Sequence, residues 1–205
     1  PSFNQLYYPP YCYGGYCFDS SNPNLKTEKA NYAQLGVQWA QTHYGLRVTY
    51  FDTRYRDKIA NDVNYIPQNI ARARAKGVET HAWYGLNGWN MDAGVTYQEV
   101  RDRDTQALLI RQPRWTSNLT LNKTWHRWQG QLAWQVRSNM GDSPSYGGSA
   151  AGYGVLDAGV QYQLQKDLKL GLKIGNVLNR QYEPLAGYNA MPRNFLFSIN
   201  YKPSW

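Results

Sequence analysis

Apolar and polar residues alternate with a period of two along most of this chain, and the 3.6-residue period of an amphipathic helix is hard to find. Ala33, Leu35, Val37 and Trp39 interleave with Gln34, Gly36 and Gln38. The same rhythm returns over 44–50, 78–84, 89–97, 115–125, 128–136, 156–162, 168–174 and 195–201. Together these segments predict nine strands, each about ten residues long. The connections alternate as well. Short turns fall at 41–43, 86–88, 126–127 and 165–167, with Asn87-Gly88 a hairpin signal. Long polar links fall at 52–75, 99–112, 138–152 and 176–193.

Short and long connections in strict turn, between strands of about ten residues, predict a transmembrane antiparallel β-barrel of the outer-membrane type. A soluble β-sandwich is the competing all-β fold, because its strands also alternate. The polar positions argue for the barrel: Gly, Asn, Gln and Thr dominate them rather than Lys and Glu, which suits a confined wet lumen. The aromatic residues also sort by height. Trp39, Tyr44, Trp89, Trp125, Trp128, Tyr162 and Trp205 lie near short turns or the chain end, and Tyr50, Tyr97 and Trp115 lie toward long links. Two such belts are expected where rings sit at headgroup depth on both sides of a bilayer.

Composition narrows the alternatives. The 205 residues include 18 Tyr and 8 Trp, and only 18% are charged. Mean hydropathy is −0.69, and no apolar run is long enough for a transmembrane helix. Pro1-Ser2-Phe3-Asn4 does not read as a secretory signal. The formal charge of +8 selects neither nucleic acid nor anionic lipid by itself, and no nucleic-acid partner is expected. Cys12 and Cys17 flank Gly14-Gly15, which can turn the chain between them, so a local disulfide and an oxidising compartment are expected. The alternative is a metal pair, but zinc normally takes four ligands and the sequence has no third cysteine.

Strand parity adds an expectation. The last strand runs from a long link to the chain end, so the end lies on the short-turn, periplasmic side, and the first strand enters from outside. Residues 1–29 are then an extracellular loop, and nine strands is an odd number where bacterial single-chain barrels have an even one. The chain reads as the C-terminal part of a larger barrel.

Specific residues then point to a family. Pro1-Ser2-Phe3-Asn4-Gln5-Leu6-Tyr7-Tyr8-Pro9 resembles the segment before a late extracellular loop of TonB-dependent outer-membrane receptors. Asn22-Pro23-Asn24-Leu25-Lys26-Thr27-Glu28 is similar to that family's Asn-Pro-x-Leu-Lys-Pro-Glu, with Thr27 in place of Pro. Asn69 with Gly77-Val78-Glu79, then Asn176-Val177-Leu178-Asn179-Arg180-Gln181-Tyr182-Glu183, resemble two further signatures, and Phe195, Phe197, Ile199, Tyr201 and Trp205 resemble the terminal aromatic assembly signal. Pro203 departs from that signal. The Phe-Asn-x-Leu-Tyr-Tyr-Pro opening and Tyr182 to Tyr188 look most like cobalamin-transporting members; receptors for siderophores or haem are the alternative. The resemblance implies a 22-strand type barrel, of which residues 1–205 are the C-terminal portion, with the N-terminal plug domain and the remaining strands elsewhere. It also implies active uptake of a bulky nutrient, most simply cobalamin, energised by TonB through the missing portion. The setting would be the bacterial outer membrane, in contact with its lipid and lipopolysaccharide.

Arg111 lies where the resemblance places a ligand-site arginine, and Tyr146, in Pro144-Ser145-Tyr146-Gly147-Gly148, is a loop tyrosine able to stack and hydrogen-bond. Both are candidate substrate-binding residues; each is otherwise an ordinary loop residue, and Arg111 has the further alternative of pairing with a neighbouring loop. Inward Arg47, Glu79, Asp92, Arg114, Arg137, Asp157, Lys169 and Lys173 carry both signs and suit either a wall meeting the plug or mutual pairing. Asp102, Asp104 and Asp142 form no dense Asp-x-Asp-x-Asp loop, so no metal site is expected. Neither a cofactor nor an enzymatic activity is expected, since His43, His81 and His126 have no Ser-centred motif beside them. A passive porin is the remaining alternative.

Overall fold

The computed structural model describes residues 1–62, 64–143 and 148–203. A short helix, α1 (Phe3–Tyr7), is closed by a capping box between Ser2 and Gln5. The hairpin β1 (Tyr11–Tyr13) and β2 (Tyr16–Phe18) sets Cys12 opposite Cys17, with the sulfurs 2.10 Å apart. The long strands follow: β3 (Lys29–Ala40), β4 (Tyr44–Asn61), β5 (Pro67–Leu86), β6 (Trp89–Asp102), β7 (Trp115–Trp125) and β8 (Trp128–Arg137). After the small pair β9 (Met140–Ser143) and β10 (Gly148–Ala150) come β11 (Tyr153–Gln165), β12 (Leu168–Gly175) and β13 (Asn194–Tyr201). Nine of these form one antiparallel sheet in chain order, from β3 at one edge to β13 at the other. The sheet is part of a barrel and is not closed on itself.

Residues directly opposite on paired strands share a face, as do residues two apart on one strand. The register therefore sorts side chains into rows around the wall. One outer row is Tyr44–Tyr84–Met91–Leu121–Leu132–Ala158–Ile174–Phe195. The inner row beside it includes Trp83, Asp92, Thr120, Ala133 and Asp157. Apolar-out and polar-in is the order demanded when lipid bathes the outside and water the lumen.

Aromatic rings bound the apolar band. At the short-turn end Trp39 meets Tyr44 at 5.2 Å, and Trp128 meets Tyr162 at 4.6 Å. At the other end Tyr97 meets Trp115 at 4.7 Å. From Trp115 to Trp125 is ten steps along β7; at about 3.4 Å a step and a tilt of about 40°, the band is roughly 26 Å tall. That is the height of an outer-membrane barrel's apolar belt.

The turn Asn87-Gly88 has φ of 51° and 74°, the two positive values a type I′ hairpin requires. A Cβ on Gly88 would sit 2.5 Å from the Thr124 carbonyl oxygen, so glycine is needed there for space as well as for φ.

Two expectations change. The stretches 52–75 and 99–112 are not wholly links: β4 runs on to Asn61, β5 begins at Pro67 and β6 reaches Asp102. Their alternation was hidden because, beyond the Tyr50–Tyr97–Trp115 belt, the outer positions stop being apolar and become charged. Arg114 precedes β7, and instead of lining the lumen it reaches Glu99, on the outer face of β6, at 3.4 Å. The helix α1 and the pairs β1/β2 and β9/β10 are too short to leave a periodic signature.

Candidate functional site at the long-link rim

Above the belt the inner face becomes apolar. Phe51, Ala75 and Val100 are buried together, with Tyr55 and Leu109 packed against them. Gly77 makes room for this cluster: a Cβ there would lie 2.2 Å from the Tyr97 carbonyl oxygen and 2.8 Å from the Phe51 ring. The link after β6 turns back alongside that strand in antiparallel register, with Asp102 N–H donating to Ala107 O and Leu109 N–H to Val100 O, both at 2.9 Å, and Arg101 opposite Leu108.

The segment before β3 is stitched to the same region by the two motif asparagines. Asn22 Nδ2 donates to Pro67 O at 2.9 Å. Asn69 accepts from Lys26 N–H at 2.7 Å, and its Nδ2 donates to Lys26 O and Asp57 O. Glu28 accepts from Ile59 N–H at 3.0 Å. An amide side chain is required at residue 69, because it must donate and accept at once.

Arg111 and Asp142 tie three links together. Arg111 Nε donates to Asp142 Oδ1 at 2.5 Å, and the other carboxylate oxygen accepts from Ala186 N–H. The carboxylate is buried at 3% exposure, whereas the guanidinium is 48% exposed. The Arg111 guanidinium, helped by the Ala186 N–H, holds the Asp142 carboxyl below its ordinary range against the cost of burial. Arg111 therefore has the partner in a neighbouring link that was one alternative for it, and it makes that pair through Nε.

Beside this strut, Arg137 lies over the Tyr153 ring at 4.7 Å and donates to Glu183 O at 3.1 Å, and Tyr153 meets Tyr182 at 4.3 Å. Burial raises the Tyr182 hydroxyl above its ordinary pKa. Asp142, Tyr153 and Tyr182 as site members were missed from sequence; only the Tyr182-Glu183 motif pointed there. Tyr13, Tyr16 and Tyr188 stand at the rim with 76%, 74% and 69% exposure. Tyr146 lies outside the described residues, as does Trp205.

Deeper in the lumen some of the wall's polar groups meet one another. Arg47 donates to Gln38, His81 contacts Asp92 at 2.6 Å, and Lys173 lies 3.5 Å from Asp157. Among the described residues, no group of three or more His, Cys, Asp or Glu is assembled that could hold a metal ion.

Known proteins share this architecture. The vitamin B12 transporter BtuB of Vibrio vulnificus (strain YJ016) is 24% identical over 98% of this chain and 33% of its own length. The ferripyoverdine receptor of Pseudomonas aeruginosa is 24% identical over 89% of this chain and 26% of its own. The solved structure of the copper transporter OprC superimposes with a TM-score of 0.73 at 18% identity, covering 87% of this chain and 31% of that one. The chain spans about a third or less of these relatives. The family described as TonB dependent receptor-like, beta-barrel, matches residues 1–177, and with the open meander, the two aromatic belts and the outward apolar rows already in place, this chain belongs to the TonB-dependent receptors of the outer membrane.

Proposed function

We propose that residues 1–205 supply the nine C-terminal strands of an active-transport receptor that captures a bulky, scarce nutrient and moves it inward with TonB-coupled energy, and that the nutrient is cobalamin. The plug, the remaining strands and the contact with TonB belong to the part of the receptor outside this chain. The observation that carries the choice of ligand is the pairing of the Arg111 cation with a carboxylate of the rim itself. Arg111 is matched by Asp142, and the nearby mouth is lined by Tyr153 and Tyr182. Such a rim suits a large, amide-rich, partly apolar molecule better than a siderophore carrying several negative charges. Tyr13, Tyr16 and Tyr188 offer rigid amphipathic contact area at low entropic cost. In this account Arg111 uses its Nη nitrogens on corrinoid amides or phosphate, Tyr146 stacks, and Cys12–Cys17 keeps the first rim hairpin closed.

A ferric siderophore or haem is the second ligand class, favoured by the family's other members. Titrating labelled cyanocobalamin onto the complete receptor separates the two. Saturable binding, weakened by Arg111→Ala by about 1–3 kcal/mol, the scale of a lost charged hydrogen bond, is the expected result. Absence of saturable binding with calcium present, alongside tight binding of a ferric siderophore or haem, transfers the assignment to the second class.

A further inference from the structure

We propose that the nutrient crosses the barrel along the inner face of β7 and β8, a strip of uncharged hydrogen-bonding side chains that runs from the rim to the short-turn side. The inference rests on the uptake reading above and names the wall that the cargo follows. The register defines the strip. From Thr116 to Thr124 the inner face of β7 reads Thr-Asn-Thr-Asn-Thr, and opposite it, from Gln129 to Gln135, β8 reads Gln-Gln-Ala-Gln. Arg137 follows at the rim end, where it lies opposite both Thr116 and Tyr153. The strip therefore begins directly beneath the aromatic part of the candidate site. Eight steps separate Thr116 from Thr124, about 20 Å of depth at about 3.4 Å a step and a tilt of about 40°.

The charges that flank this strip are drawn away from it on both sides. Asp92 on β6 lies opposite Thr120, but it contacts His81 on β5 at 2.6 Å. Asp157 on β11 lies opposite Ala133, but Lys173 on β12 lies 3.5 Å from it, and it accepts from Asn176 N–H at 2.8 Å. Each carboxylate thus meets a partner on the far side and leaves the strip neutral. The amides within it are unspent. Asn118, Gln129 and Gln135 are exposed, and among the described residues their side chains make no hydrogen bond to the protein. Gln131 donates to Asn122 at 3.0 Å. At the lower end the wall is hollow: a concavity of about 380 Å³ is lined by Asn122, Gln129, Gln131, Gln161 and Ser198. Gly159 lies opposite Gln131, and a Cβ there would meet only Leu172 O, at 3.8 Å.

This chemistry suits a moving cargo. A route through a membrane needs contacts favourable enough to enter and weak enough to leave. An amide donates and accepts at once, so a row of them can hand an amide-rich, partly apolar molecule from one residue to the next. Charged hydrogen bonds are roughly twice as strong as neutral ones and would hold it. The inner face of β4 and β5 carries Arg47, Glu79, His81 and Trp83 instead, groups suited to a neighbour that stays in place.

The test places Trp at Thr120 or Gln131 in the strip and, as a control, at Thr49 on the inner face of β4, each in the complete receptor. Labelled cyanocobalamin is followed as surface binding and as TonB-dependent accumulation. Binding should be unchanged in all three variants. Accumulation should fall at least about tenfold in Thr120→Trp and Gln131→Trp, where the added indole obstructs the passage, and less than about twofold in Thr49→Trp. Strip variants that accumulate normally with heat-resistant gel mobility intact, or an equal loss in Thr49→Trp, would overturn the route. A photo-cross-linking side chain at Gln135 gives a second measurement that does not depend on the Trp variants folding. It should capture the labelled nutrient in energised cells, while the same group at Thr49 should not. Cross-links from Gln135 confined to the receptor's own plug in energised cells would assign the strip to the plug and contradict the proposal. Failure of the native receptor to bind cobalamin would remove the ligand reading first, and the route with it.

Discussion

Replacing Asp142 with Asn tests whether the rim is held by the Arg111–Asp142 strut. The native carboxylate is almost fully buried and accepts from Arg111 Nε and Ala186 N–H. A hydrogen bond to a charged group contributes about 1.5–3 kcal/mol. Asn keeps one acceptor oxygen and cannot serve both donors, so one of the two bonds is lost and the other weakened. With Arg111 half-exposed, water compensates part of its loss, and a local destabilisation of about 1.5–3 kcal/mol is expected. Read as amide hydrogen exchange in the 176–193 link of the complete receptor, that is acceleration of roughly 10- to 100-fold at Ala186, taking 1.4 kcal/mol per factor of ten. Acidification should do the same without a mutation. The Asp142 carboxyl is held below its ordinary range when folded, so its contribution is fully present above the unfolded value of about 4 and fades as pH falls through the lower folded value. Exchange at Ala186 that changes less than twofold in Asp142→Asn, once intrinsic rates are corrected, would refute the strut.

Other outcomes follow from the same geometry. Arg placed at Leu121, Leu132, Val160 or Leu172 should cost roughly 2–4 kcal/mol of barrel stability, while Arg at inner Thr120 or Gln161 costs much less; denaturant titration in lipid bilayers reads the difference, and equal costs on both faces would mean a wrong register. Gly77→Val should destabilise the rim by about 1–3 kcal/mol, the cost of overpacking, because its side chain meets the Tyr97 carbonyl and the Phe51 ring; an unchanged unfolding midpoint would contradict the packing described. Cysteine introduced at Asp104 should react with an impermeant thiol reagent on intact cells, and cysteine at Gly88 should not; the reverse pattern would overturn the orientation.

The portion of the fold between the belts was legible because lipid imposes a strict rule there. Leu119, Leu121, Leu132 and Val160 must be apolar, and their neighbours Thr120 and Gln161 need not be. The extensions of β4 and β5 were not legible by that rule, since Arg54, Arg56, Arg72 and Arg74 occupy outer positions no longer in contact with hydrocarbon. Arg111 was singled out by resemblance, but its partner Asp142 lies 31 residues away in another link, and no periodicity connects two links. The Asn22 and Asn69 motifs were recognised as patterns; only the structure shows that they fasten the segment before β3 to the outer ends of β4 and β5.

The central claim, energised uptake through a barrel to which this chain contributes, is tested most directly by measuring accumulation of labelled cobalamin in cells that rely on the complete receptor. The account predicts saturable uptake that requires TonB and disappears when TonB is deleted, while binding at the cell surface persists. Uptake that rises linearly with concentration and is unaffected by the deletion would contradict it and identify the barrel as a passive pore.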